Sequence, residues 1–287
     1  MSLPPDHLAA LVHDTAQRGR VRANDAAAVS LYDLLVSVGL HPIILKGPAT
    51  RALLGAAGEV RPSTDIDVLI GPSELRRARA VLRASGYTQR KGVHADTWSR
   101  PGSTDVDLHW TLPRVSASPT VVWELADSSR VDLPCAGSTI SVLSPGAMVV
   151  HLALHVTLHP TSEAVERPLE DLRGAVRSIS ADELTQATRI AHLWGCSSSV
   201  AAALQRANLP EAAEAFGPAH VSPHAPDEQG WLAFVGSSVH WRERLRRTQR
   251  VTQLWLTFHA GRLSRFVRGT SQTNRRWANA RRDKAQK

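Results

Sequence analysis

Two carboxylates one residue apart, Asp65 and Asp67, lie inside the apolar run Ser63-Thr64-Asp65-Ile66-Asp67-Val68-Leu69-Ile70. The β-branched composition of that run is a strand signal. Side chains alternate across a strand, so positions two apart share a face, whereas on a helix they would diverge by about 200°. Both acids therefore project to one side of a sheet. Their mutual repulsion on an apolar strand is costly unless a divalent cation or basic groups compensate it. A second run, Asp105-Val106-Asp107-Leu108-His109-Trp110, repeats the acidic-apolar alternation. The pattern points to a magnesium site built on strands.

The elements around these runs follow from periodicity and punctuation. Residues 5–38 read as two helices around a polar break near Arg18 to Arg22, the second closed by Gly39. His41 to Leu45 has strand character, and Lys46-Gly47-Pro48 turns it into a helix reaching Leu54, with proline at a tolerated early position. Gly71-Pro72-Ser73 introduces a helix with Leu75, Ala78 and Leu82 on one face, ended by Ser85-Gly86-Tyr87. Strands are expected near 87–91, 94–99 and 105–110, and a last one through Thr139 to Val142. From Ser144-Pro145 the pattern becomes helical until about residue 216. The expected fold class is α+β: a mixed sheet flanked by helices over residues 1–143, a helical lobe over 144–268, and a basic, frayed tail over 269–287.

Composition narrows the function classes. The chain has no apolar run of the roughly 20 residues that cross a bilayer and its start lacks the features of a secretion signal, so a cytoplasmic protein is expected. Its two cysteines, Cys135 and Cys196, are too few and too far apart for a disulfide framework or a clustered zinc motif. The net charge of +8 is concentrated at the end, where residues 241–287 hold 14 of the 34 Arg and Lys against Glu243 and Asp283. The basic balance thus describes a tail and not a whole nucleic-acid-binding surface. Lysine is scarce: only Lys46, Lys91, Lys284 and Lys287 stand beside 30 arginines. A lysine in the otherwise apolar segment at 46 accordingly carries weight.

Lys46 to Ala49 (Lys-Gly-Pro-Ala), Arg61 to Asp67 (Arg-x-x-x-Asp-x-Asp), Ser85-Gly86-Tyr87 and Asp107 to Trp110 (Asp-Leu-His-Trp) together resemble the DNA polymerase β-like nucleotidyltransferase superfamily, in its uncharacterised bacterial branch. The likeness runs over about residues 40–175 and takes in His151, His155 and Pro168 to Leu172. It implies that Asp65 and Asp67 hold the metal carrying a nucleoside triphosphate, ATP by default, and that Asp107 completes a second position, giving two Mg²⁺ ions about 4 Å apart. It further implies transfer of a nucleoside monophosphate to an acceptor with release of pyrophosphate. The acceptor is a small molecule, peptide, protein or RNA end, and a peptide or natural-product tailoring role fits the branch. Gly47 would let the backbone approach the phosphates, while Lys46 and Arg61 would neutralise them. Where superfamily members carry Gly-Ser or Gly-Gly, this chain has Gly47-Pro48, which removes one amide donor.

Other readings stay open at this level. Asp105 shares a strand face with Asp107 and could be the third carboxylate, though its place in Asp-Leu-His-Trp favours Asp107. His109 could touch a phosphate or orient a carboxylate. His151, His155 and His159 recur at helical spacing, which would allow zinc ligation, but packing histidines fit that apolar stretch better. Asp171 is expected to pair with Arg167 or Arg173. The basic C-terminal segment docks by its apolar stripe, or binds RNA, anionic lipid or an acidic acceptor. The same carboxylates could serve a phosphotransferase, or survive in a binding module that has lost catalysis.

Overall fold

Helix α1, Pro5–Ser37, opens the chain as one continuous element and not as two. The polar stretch near Arg18 does not interrupt it, because Arg18 pairs with Asp14 one turn back at 2.8 Å and Gly19 alone costs a helix only about 1 kcal/mol. Gly39, at φ +71°, ends it and leads into β1, Ile43–Ile44. The computed structural model describes residues 5–55, 63–158 and 166–218, all within Met1–Ala233, the first of two compact units. The second, Phe234–Lys287, lies outside the described residues, and with it the whole basic segment, the end of the expected helical lobe and the expected tail over 269–287.

After β1 come α2 (Pro48–Leu54), β2 (Asp65–Leu69), α3 (Leu75–Ala84), β3 (Thr88–Lys91), β4 (Ala95–Ser99) and β5 (Asp105–His109). Then follow α4 (Pro119–Ser128), β6 (Val131–Cys135) and β7 (Ser138–Val142). The strands form one mixed seven-stranded sheet in the order β3-β4-β5-β2-β1-β7-β6. Only β2 with β5 and β1 with β7 run parallel. The chain is thus α+β, as its pattern indicated.

Two elements are additions to the sequence reading. Strand β6 contains Pro134, which argues against a central strand, but β6 lies at the sheet edge, where a missing amide donor is tolerated. Helix α4 is announced only by Ser118, whose hydroxyl accepts from the Val121 amide, and by Pro119 in the first turn.

One sheet face is core, with Ile66, Val68, Trp98, Val106 and Leu108 buried. Helix α3 buries Leu75, Ala78 and Leu82, the residues its periodicity indicated. The buried polar exception here is Asp96, fully enclosed and met by Arg79 Nε at 2.6 Å and Gln89 Nε2 at 2.7 Å. Beyond the sheet, α5 (Pro145–Thr157) packs against α6 (Glu166–Ser178), α7 (Ala181–Leu193) and α8 (Ser197–Arg206), and α9 (Pro210–Glu214) packs on α8. Helix α5 is apolar nearly all round and lies at the centre of this group. No helix among the described residues is long and apolar enough to cross a membrane.

Candidate active site

The parallel pairing of β2 with β5 assembles the acids. Its register sets Asp65 opposite Asp105, Asp67 opposite Asp107, and Leu69 opposite His109. Strand alternation then puts Asp65, Asp67, Asp107 and His109 on the face away from the core residues Ile66, Val68, Val106 and Leu108. Burial deepens along the strands: Asp105 is exposed and Asp65 and Asp107 are half-buried. Asp67 and His109 keep only 2% and 5% of their surface.

Asp67 is the centre of the group. Lys46 Nζ stands 3.0 Å from its Oδ2, and His109 Nε2 donates to its Oδ1 at 3.0 Å. Burial alone would favour the neutral acid, but the Lys46 ammonium and the His109 hydrogen bond prevail and hold this carboxyl far below the usual carboxylate range. Asp65 is displaced the other way. Burial raises its pKa first, repulsion by Asp67 and Asp107 adds to that, and Lys46 and the Ser63 hydroxyl only partly offset it.

Lys46 reaches Asp67 because the Leu45 amide donates to the Asp67 carbonyl at 2.9 Å, which seats the turn beside β2. Gly47 follows at φ +65°. A Cβ there would meet only Ser63 Cβ at 3.8 Å, so glycine is required by backbone conformation and not by space. Pro48 then starts α2 at a position whose amide has no intrahelical partner, so the helix forgoes no hydrogen bond.

Helix α1 braces both sides of this turn. Asn24 donates to the Ser63 carbonyl, Asp25 pairs with Arg51 of α2, and the Ser63 hydroxyl donates to the Asp65 carbonyl at 2.7 Å. Between turn and helices lies a cleft of about 260 Å³, lined among others by Lys46, Gly47, Arg51, Asp65, Arg167 and Asp171. Asp65 and Lys46 thus connect the carboxylate group to an open space of mixed charge.

The residues fit a divalent cation. Ligand atoms of Asp67, Asp107 and His109 all lie within 4.8 Å of one another, and Asp107 Oδ1 is buried with no hydrogen-bond partner. Two carboxylates and an imidazole form a suitable donor set, with Asp65 adjacent.

Several sequence expectations meet specific outcomes. Arg61 and His159 lie outside the described residues. His155 lines the cleft, while His151 is buried on α5 with neither ring nitrogen hydrogen-bonded; burial and the nearby Lys46 push its pKa well below the ordinary value. Arg173 Nη1 pairs with Glu166 at 2.7 Å and its Nε donates to the Ala207 carbonyl at 3.0 Å, while Asp171 and Arg167 both line the cleft. Sequence reasoning missed the brace from Asn24 and Asp25, for which the only signal is two adjacent polar residues in the last half of a helix otherwise rich in alanine.

A mixed sheet carrying paired carboxylates on neighbouring strands, beside a glycine turn that opens into a helix, is the frame of the site, and the match of a nucleotidyltransferase family model over most of the chain gives the class: the protein is a nucleotidyltransferase. More narrowly, the chain belongs to the family described as uncharacterised nucleotidyltransferase, whose model matches residues 2–210. No curated protein matches the sequence. Among solved structures, it is similar to an antigenic nucleotidyltransferase-like protein from Paracoccidioides brasiliensis, at 18% identity over 68% of this chain and 93% of that one, with a TM-score of 0.44. The antibiotic-resistance factor ANT(2'')-Ia is similar at 18% identity, 68% and 98% coverage and a TM-score of 0.44. The lincosamide antibiotic adenylyltransferase LnuA is similar at 15% identity, 49% and 90% coverage and a TM-score of 0.35.

Proposed function

We propose that the protein transfers a nucleoside monophosphate from a nucleoside triphosphate, ATP by default, to an acceptor hydroxyl or phosphate, and that Asp65, Asp67 and Asp107 hold two Mg²⁺ ions for this reaction. The observation that carries the reading is the register of β2 on β5, which sets Asp67 against Asp107 with Asp65 at the edge of the cleft. Bound there, Mg²⁺ would supply the positive charge that neutralises the triphosphate and acidifies the attacking hydroxyl. Within the cleft, Lys46 and Arg51 offer cationic contacts to phosphate oxygens, and Gly47 lets a phosphate approach the backbone. Arg61 is assigned to the same task from sequence. His109 fixes the orientation of Asp67. The bond from the acceptor oxygen to the α-phosphorus forms as the bond to pyrophosphate breaks, and the acceptor's proton passes to the carboxylate group. Such chemistry draws on the triphosphate pool of the cytoplasm, where we place the protein.

Isotope position tests the assignment. The protein is incubated with α- or γ-labelled triphosphate, Mg²⁺ and cell extract. Label from the α-position in a macromolecular or small-molecule product supports nucleotidyl transfer, and identifies the acceptor. Transfer of γ-label alone would establish a phosphotransferase instead, and metal-dependent nucleotide binding without turnover would establish a binding module.

A further inference from the structure

We infer that Lys46 is a built-in cation that occupies Asp67 in place of a metal and is exchanged for it only when a triphosphate enters the cleft. The inference rests on the assignment of Asp67 as a metal ligand. Both oxygens of this carboxylate are already engaged, Oδ1 by His109 and Oδ2 by Lys46, each at 3.0 Å. An ion approaching Oδ2 from the cleft therefore meets the Lys46 ammonium and must displace it or share the oxygen with it.

The two partners are not equally movable. His109 stands on β5, which is paired along its length with β2 on one side and β4 on the other, and only 7% of its side chain is exposed. Lys46 stands on a glycine turn, keeps 21% of its side chain exposed, and lines the cleft as well as touching Asp67. Its flexible four-carbon stem lets the ammonium swing from the base of the site into that space.

Charge decides when it moves. An ammonium and a divalent ion sharing one carboxylate oxygen repel each other, so a free ion binds against Lys46. A triphosphate in the cleft gives the departing ammonium a new anionic partner and delivers the metal with it. Metal and nucleotide then favour each other's binding, reciprocally, through this one side chain. The lysine keeps free divalent ions from settling on the carboxylates in the absence of nucleotide.

The test is Mn²⁺ binding without nucleotide, followed by electron paramagnetic resonance of the free ion, in the full chain and in Lys46→Met, Lys46→Gln, Lys46→Arg and Asp67→Asn. Lys46→Gln removes the charge but keeps a polar side chain at the turn, so the comparison survives if Lys46→Met fails to fold. Lys46→Met or Lys46→Gln should bind Mn²⁺ on the order of tenfold more tightly than the unaltered chain, and Lys46→Arg should stay weak. Neutral variants that bind Mn²⁺ no better than the unaltered chain would overturn the exchange. Asp67→Asn should bind more weakly than any of them; undiminished binding there would instead overturn the assignment of Asp67 as a ligand.

Discussion

The ion pair between Lys46 and Asp67 makes a definite stability prediction. At 3.0 Å, and with an effective dielectric of about 20, the attraction is roughly 5.5 kcal/mol before desolvation is counted. Asp67 is buried, so removing its cation leaves a nearly uncompensated charge, a situation that costs about 3–5 kcal/mol in fully enclosed pairs. Two features reduce that figure: Lys46 is one-fifth exposed, and His109 still donates to Asp67 Oδ1. Lys46→Met should therefore destabilise the protein by roughly 2–3 kcal/mol at pH 7 without divalent ions, measured by urea unfolding. In an Asp67→Asn background the same substitution should cost less than about 0.5 kcal/mol, because the neutral amide needs no counter-ion. The pH dependence follows from the depressed carboxyl of Asp67. Its contribution is fully present above about pH 4, the unfolded value, and is lost progressively as the pH falls below it. Lys46→Met should blunt that acid loss. Equal costs of Lys46→Met in the two backgrounds would refute the pair as the source of the effect.

Burial and the repulsion of Asp67 and Asp107 disfavour the Asp65 carboxylate, so Asp65→Asn should stabilise the metal-free protein by roughly 0.5–2 kcal/mol while abolishing turnover; a fall in melting temperature would contradict this. Asp96 is fully enclosed by Arg79 and Gln89 on the opposite face of the sheet, so Asp96→Ala should cost roughly 3–5 kcal/mol in chemical unfolding, and a loss under about 1 kcal/mol would show the pair to be dispensable. Burial pushes the Cys196 thiol up to about 12, so iodoacetamide at pH 8 should alkylate it only after denaturation; labelling of the native protein at the rate of a free thiol would contradict its placement.

What the sequence reveals here is what alternation and punctuation can encode. The Asp65 and Asp67 pair on one strand face, the α3 core residues and the Ser144-Pro145 helix start are all local patterns, and each appears at its place. The partners of Lys46 and His109 are not local. Scarcity of lysine marks residue 46 as important, but its contact with Asp67 depends on the turn being seated beside β2 by a backbone bond that no residue type announces. Likewise, the choice between Asp105 and Asp107 rested on motif position in the sequence, while the parallel register sets Asp107 beside Asp67 and leaves Asp105 exposed. The unbroken α1 shows the limit of reading polar stretches as breaks, since polar residues and a single Gly19 are accommodated within a long helix.

The most direct test of the carboxylate group as a nucleotidyl-transfer centre is pyrophosphate release coupled to α-label incorporation, compared among the unaltered chain, Asp67→Asn and Asp107→Asn, with folding of each verified by circular dichroism. The account predicts loss of both signals together in the two folded variants, by a factor of roughly 10³ or more, as expected when a group that stabilises developing charge is removed. Variants that stay folded and release pyrophosphate at the unaltered rate would place the chemistry elsewhere in the chain.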